Sequence, residues 1–283
     1  MASDLFDRLL NASPRSVGGW VRRSLGFSPR ITIYSLPTWE RIAAGALAGR
    51  PLLIERHGNG AWEDMIAGRF DAEIYSFLAT ALPAHNVVIW DVGAHFGFHT
   101  LGFASIVGPG GRVVAFEPNP SNRERLERNL ERNVDLAARI AILPCALADR
   151  DGDSPLVLSR DIESGASSMS FLDGTTSSAE TATAGRWDTV VVPVRTADGL
   201  VRDDAAAAPH VIKIDVEGAE LLVLRGAEEI MRTVRPTLIV EAHSAKLTFE
   251  IQRWLDARDY EVQALADLAP SRVLLSALPA RQS

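Results

Sequence analysis

The sequence has a single cysteine, Cys145, so no disulfide framework can form and a reducing compartment is the default. It has no run approaching about eighteen consecutive apolar residues, so no transmembrane helix is expected. Residues 1–10 (MASDLFDRLL) carry acids and lack a long apolar centre, which does not read as a secretory signal; a cytoplasmic location is expected. Lysine is nearly absent, with only Lys213 and Lys246 among 29 basic residues. That bias towards arginine reads as genome composition rather than as a binding patch. With 36 acidic residues and a net charge of −7, the balance argues against nucleic acid as a main partner. Glycine and proline stand at ordinary levels, which excludes collagen-like and low-complexity chains. What is present, 47% apolar residues in 283, suffices for a real core in one large or two small domains.

Residues 1 to about 80 show weak periodicity. Leu5, Phe6, Leu9 and Leu10 suggest a short amphipathic helix, followed by Arg15, Arg22, Arg23 and Arg30. The region reads as an N-terminal extension that packs on the main domain or on a partner subunit, which would make a homo-oligomer; a membrane-surface helix is the other reading. From Val87 the pattern becomes strand and helix in alternation. Val87–Trp90 is a strand by its β-branched run, Phe98–Val107 a helix, Arg112–Glu117 a strand, and Pro118-Asn-Pro-Ser121 opens a charged helix with Leu126, Leu130 and Val134 on one stripe. Ile140–Pro144 is a third strand. Between Ser164 and Gly185 ten of 22 residues are Ser or Thr, which predicts a loop or lid. Strands are expected again at Thr189–Val194, Val211–Asp215 and Thr237–Glu241, and helices at Gly218–Val234 and Leu247–Arg258. Tyr260–Leu265 and Arg272–Leu275 would close the domain as a strand pair. This alternation predicts an α/β fold: a mainly parallel, Rossmann-like sheet with helices on both faces over residues 81–283.

In such a sheet, ligands bind outside the carboxyl ends of the strands. In the turn Asp91-Val-Gly-Ala-His-Phe-Gly97, Gly93 and Gly97 allow a ligand close to the backbone at a helix N-terminus. The spacing is G-x-x-x-G rather than the G-x-G-x-x-G of dinucleotide binders, so a pyrophosphate has no obvious cradle. Glu117, at the end of the next strand, can accept hydrogen bonds from the two hydroxyls of a ribose. Its bland reading is a solvated strand-end acid. Together the two features indicate a nucleoside ligand without a demanding phosphate site, a description that S-adenosylmethionine meets.

Asp91-Val-Gly-Ala-His-Phe-Gly-Phe-His-Thr100, Val114-Ala-Phe-Glu-Pro-Asn-Pro120, Ala146-Leu-Ala-Asp149, Ile212-Lys-Ile-Asp-Val-Glu-Gly-Ala-Glu220 and Val223-Leu-Arg-Gly-Ala227 resemble the FkbM family of S-adenosylmethionine-dependent methyltransferases. The resemblance runs from about Val87 to Tyr260. It implies a class I methyltransferase sheet of seven strands, one of them antiparallel, and O-methylation of a hydroxyl on a sugar, glycolipid or secondary metabolite. It also implies that Asp91, Gly93 and Gly97 hold the methionine part of the cofactor, Glu117 the ribose and Asp149 the adenine amino group. His95 stands where the family commonly has Asn and would border the methionine end. Thr196-Ala-Asp198 stands for the usual Thr-Leu-Asp.

An acceptor hydroxyl needs a positioned base to take its proton as the carbon–oxygen bond forms. His243, two residues past Glu241 at a strand end, is the first choice, with a helix-capping histidine as its bland reading. Asp215 and Glu217 would reach the same cleft and orient the acceptor or assist the base. Asp215, Glu217, Glu241 and His243 could also hold a divalent metal, a reading that is possible but not favoured on spacing alone. Lys213 reads as a structural ion-pair partner and Cys145 as a buried apolar residue. Ser164–Ser170 resembles a Gly-x-Ser-Ser element that would border the acceptor pocket. The competing readings are an NAD-linked oxidoreductase, against which the missing phosphate-binding glycines stand, and a non-catalytic nucleoside-binding module. Nucleic-acid methylation is disfavoured, because no Asn-Pro-Pro-Tyr type element or basic tract is present.

Overall fold

A computed structural model describes residues 37–56, 61–82, 86–159, 170–172, 187–269 and 272–280. The helix expected around Leu5–Leu10 and its arginines lie outside the described residues, as does the segment from Ser164 to Met169. Strands β1 (Thr38–Arg41) and β2 (Pro51–Ile54) pair antiparallel, and helices α1 (Ala61–Ala67) and α2 (Ala72–Ala81) follow. Their neighbours Ile42, Leu52, Ile54, Ile74 and Leu78 are buried in one apolar cluster with Ile89, Val113, Val211 and Ile239 of the sheet below. The described residues between 37 and 80, which the sequence groups with the N-terminal extension, are thus built into one face of the core. The compact unit that holds the sheet begins at Pro37.

The alternating region forms β3 (Val88–Val92), α3 (Phe98–Ile106), β4 (Arg112–Phe116), α4 (Pro120–Glu131), the short α5 (Val134–Ala137) and β5 (Ile140–Leu143). After an inserted sheet come α6 (Ala197–Arg202), β10 (Val211–Ile214), α7 (Glu220–Arg225), α8 (Glu228–Thr233), β11 (Thr237–Ala242), α9 (Ala245–Asp256), β12 (Tyr260–Ala269) and β13 (Arg272–Pro279). Seven strands make the main sheet in the order β12-β13-β11-β10-β3-β4-β5. Five neighbours run parallel, and β13 runs antiparallel to both β11 and β12. Successive side chains on a strand point to opposite faces, so Ile89, Val113, Val211 and Ile239 pack on one side while Trp90, Val114, Ile212 and Val240 pack on the other. The chain order reverses between β3 and β10, which is where the rule for open α/β sheets puts the ligand.

The insertion is a second sheet in the order β6-β9-β7-β8, from β6 (Ala146–Leu147), β7 (Gly152–Ser159), β8 (Ser170–Leu172) and β9 (Trp187–Arg195). The strand expected at Thr189–Val194 is therefore real but does not join the main sheet. The Ser/Thr-rich stretch, read as loop or lid, contains the strand β8 in its described part. Its remaining residues lie outside the description. Two further expectations are corrected. Val134 is not on the α4 stripe: α4 ends at Glu131, and Val134 opens α5 with 72% of its surface exposed. The single helix expected over Gly218–Val234 is two helices. The Asp198 carboxylate accepts from the backbone N–H groups of Glu229 and Ile230 (2.8 and 2.9 Å), capping a fresh helix there, while Asp198 N–H donates to Gly226 O (2.9 Å). Gly226 sits so tightly against the chain that a Cβ on it would lie 2.0 Å from Ala148 O.

Among the described residues no helix is long and apolar enough to cross a membrane. Gly226→Ala is expected to cost about 2–3 kcal/mol, because a backbone carbonyl must move to make room. Gly108→Ala has open space around it and a φ of 75°, and is expected to cost only about 1 kcal/mol of backbone strain. Thermal melts of the two variants should rank them in that order.

Candidate active site

The turn after β3 is fixed by the next strand: Gly93 and Ala94 N–H donate to Phe116 O at 3.0 and 3.1 Å. Gly93 has a φ of 85°, and a Cβ there would lie 1.8 Å from Asp215 O, so only glycine lets the ends of β3 and β10 lie this close. His95 also adopts the left-handed conformation (φ 53°), which Asn, Asp and His enter more readily than other side chains. That shared tolerance is a physical reason for histidine to replace asparagine at this position. The conformation aims His95 N–H at Glu117 Oε2, 2.7 Å away.

Glu117 directly follows β4, with 3% of its surface exposed. Asn119 N–H donates to its Oε1 at 2.8 Å and Asn122 Nδ2 at 3.4 Å. Burial pushes its carboxyl up to about 7 against the opposing pull of the donors from Asn119, His95 and Asn122. A carboxylate offers about four acceptor positions and three are taken, which leaves capacity for a ligand hydroxyl. Glu117 faces a cavity of about 770 Å³, open mouth included. Its polar lining includes His95, Glu117, Asn122, Asp215 and Glu217; Phe116, Leu147, Leu156 and Leu172 form an apolar wall. A flat base between apolar side chains and a sugar diol on a carboxylate are what a nucleoside requires, and these residues fit it.

Gly93, His95 and Glu117, expected at the cofactor, line this cavity. Asp91 lies under it with none of its surface exposed, accepting from Thr100 Oγ1 (2.5 Å) and paired with Lys213 (3.4 Å). Gly97 faces Leu126 of α4 rather than the cavity. Asp149 is not in the lining; it lies in the bend after β6, 3.8 Å from Arg150. Cys145 does line the cavity, and burial pushes its thiol up to about 11, so it stays protonated and unreactive.

Asp215, Glu217 and His243 come together at the ends of β10 and β11. His243 Nε2 lies 3.5 Å from Asp215 Oδ1 and 3.4 Å from both Glu217 Oε2 and Glu241 Oε1. Its Nδ1 is 2.5 Å from Oε1 of the fully buried Glu220, which also accepts from Gly218 N–H at 3.0 Å. Arg272 of β13 bonds Glu241 and approaches His243 Nε2 at 3.2 Å. Burial works against charge on His243, but the Glu220 hydrogen bond, then Glu217 and Asp215, raise it to about 9. Burial likewise opposes charge on Asp215, yet Lys213 and His243 hold its carboxyl well below the usual carboxylate range. Burial raises Glu217 and Glu241. Lys213, buried between Asp91 and Asp215 (3.4 and 3.2 Å), would lose its proton more easily through burial alone; Asp215, Asp91 and Glu241 reverse that and keep it charged. Glu220 and Arg272 are the site residues the sequence reading passed over. Glu220 closes the Lys213–Glu220 string, so a signal existed; Arg272 arrives from a distant strand with no local signature.

The seven-stranded order with one reversed strand, and a cavity over β3 and β4 with an apolar wall and a buried carboxylate, are those of a class I S-adenosylmethionine-dependent methyltransferase. The chain belongs to the FkbM methyltransferase family, whose domain matches residues 91–262. It is similar to the hexuronic acid methyltransferase AglP of Haloferax volcanii, 29% identical over 157 residues that make up 56% of each protein. It is also similar to the AMB antimetabolite synthetase AmbE of Pseudomonas aeruginosa, 42% identical over 82 residues, which are 29% of this chain and 4% of that protein. The chain thus spans just over half of AglP and a small fraction of AmbE. In structure it is similar to methyltransferase FkbM from Methylobacillus flagellatus KT, with a TM-score of 0.50 and 20% identity over 71% of this chain and 46% of that one.

Because the Glu117 carboxyl titrates near 7, cofactor affinity should rise as pH climbs from 6 to 8, by about tenfold, the change in its ionised fraction. Calorimetry with S-adenosylmethionine across that range should show the slope, and Glu117→Gln should bind more weakly with the slope gone. Lys213→Ala removes the partner of the buried Asp91 and of the partly exposed Asp215 and is expected to destabilise the fold by about 3 kcal/mol, read from denaturant unfolding.

Proposed function

We propose that this methyltransferase methylates a hydroxyl oxygen, on a sugar or another hydroxyl-rich acceptor. One observation carries the reading: Asp215 and Glu217 line the cofactor cavity and also touch the imidazole of His243, so the cofactor pocket and an acid–base cluster are continuous. A hydroxyl has to lose a proton as it is methylated, and carboxylates beside the cavity suit that need. The similarity to AglP, named as a hexuronic acid methyltransferase, favours a sugar.

In this reading Gly93, His95 and Glu117 hold the cofactor, with Asp91 bracing the turn from below. S-adenosylmethionine, when bound, supplies an electrophilic methyl group on a sulfonium. Glu217 faces the cavity and stands 3.4 Å from His243, without the direct lysine pairing that commits Asp215. It is the group best placed to accept the acceptor's proton. Asp215 orients the acceptor. His243, the first choice for the base on sequence grounds, is held by Glu220 at Nδ1 and reached by Arg272 at Nε2, so both ring nitrogens are engaged and it serves to position the two carboxylates.

Incubation with methyl-labelled S-adenosylmethionine and a panel of hexuronic-acid and neutral glycans should give a labelled product whose methyl sits on oxygen by mass and NMR analysis. Glu217→Gln should lower kcat by about 10²-fold or more with little change in cofactor affinity. Label on nitrogen or carbon, or full activity in Glu217→Gln, would refute the respective part of the reading.

A further inference from the structure

We propose that Asp215, Glu241 and His243 form a binding site for a divalent cation of the Mn2+ or Mg2+ type, placed to hold oxygen atoms of the acceptor. One ligand atom from each residue lies within 4.8 Å of the others. The edges from His243 Nε2 to Asp215 Oδ1 and Glu241 Oε1 are 3.5 and 3.4 Å. Such spacings exceed hydrogen bonds and match the separations of ligands about 2.1–2.4 Å from a shared ion.

Three further observations point to a cation rather than to a hydrogen-bonded acid cluster. First, the His243 side chain is 5% exposed, and the Glu220 carboxylate on Nδ1 turns Nε2 towards the carboxylates without a hydrogen bond to any of them. A carboxylate on the far nitrogen is how metal-binding imidazoles are oriented. Second, the atom that does reach Nε2 is cationic. Arg272 Nη2 touches His243 Nε2 and Glu241 Oε1 together, two of the three ligand atoms, in the manner of a stand-in for an ion. Arg272 is 40% exposed and can swing aside. Third, five carboxyl groups, Asp91, Asp215, Glu217, Glu220 and Glu241, are gathered around three basic side chains, Lys213, His243 and Arg272. Carboxyl oxygens thus outnumber the cationic groups that face them. Carboxylate-rich ligand sets with one imidazole suit Mn2+ and Mg2+. Since Asp215 also lines the cavity, an ion here would present open positions to vicinal acceptor oxygens. That role rests on the proposed hydroxyl methylation; the binding of the ion does not.

Titration of the full chain with Mn2+, following the free-ion EPR signal, should reveal one saturable site, and Mn2+ should raise the Tm. Asp215→Asn and His243→Gln should each weaken binding tenfold or more, and Glu220→Gln by about tenfold through lost orientation. Arg272→Met should bind Mn2+ more tightly, since it removes the competing cation. The exposed control Glu250→Gln should bind as the native chain does. Absence of a saturable site in both the native chain and Arg272→Met, or binding indifferent to Asp215→Asn and His243→Gln, would overturn the proposal. If S-adenosylmethionine binds and Mn2+ does not, this proposal fails alone; if Mn2+ binds and no hydroxyl is methylated, the functional reading fails alone.

Discussion

The cleft depends on one buried ammonium group. Lys213 projects from β10 between Asp91 of β3 and Asp215 of the loop beyond, and it also donates to Gly93 O at 3.4 Å. Two parallel strands whose ends carry carboxylates would otherwise repel each other where the topology parts them. The lysine turns that repulsion into a tether, and a side chain at residue 93 would push the strands apart again. The turn that carries His95 towards Glu117 is therefore seated on an electrostatic foundation that meets the cavity only through Asp215.

Above this foundation the two halves of the site obey different electrostatics. Around Glu117, backbone donors face a carboxylate in an apolar enclosure, and the balance between burial and hydrogen bonding leaves the group poised between its two protonation states. Around His243, several acids crowd one imidazole and strengthen its attraction for positive charge. The first arrangement suits recognition of neutral hydroxyls, and the second suits handling of protons and cations. Asp215 belongs to both, as cavity wall and as the partner of Lys213 and His243.

The central strands were legible in the sequence because they are short runs rich in β-branched residues, and β3, β4, β10 and β11 end at or beside an acid or a glycine. Trp90, Ile212 and Val240 are buried as their spacing implies. The carboxylates of the cleft were legible for the same reason, since strand ends can be counted. What escaped depends on contacts between distant segments. The break between α7 and α8 comes from Ala148 pressing on Gly226 and from the Asp198 cap, neither of which leaves a local trace. Arg272 enters the cluster only because β13 runs backwards beside β11. The packing of Ile42, Leu52 and Ile74 against the sheet replaces helical periodicity with short strands and one-sided helices, which blurs the pattern over residues 37–81.

The apolar wall of the cavity is borrowed from the inserted sheet. Leu156 of β7 and Leu172 of β8 are direct cross-strand partners, and both reach the cavity as well as the insert's own small core. Whatever fills the cavity thus acts as an additional core residue of that hairpin. Ligand occupancy and the folding of the insert are then linked equilibria, each drawing the other forward by mass action.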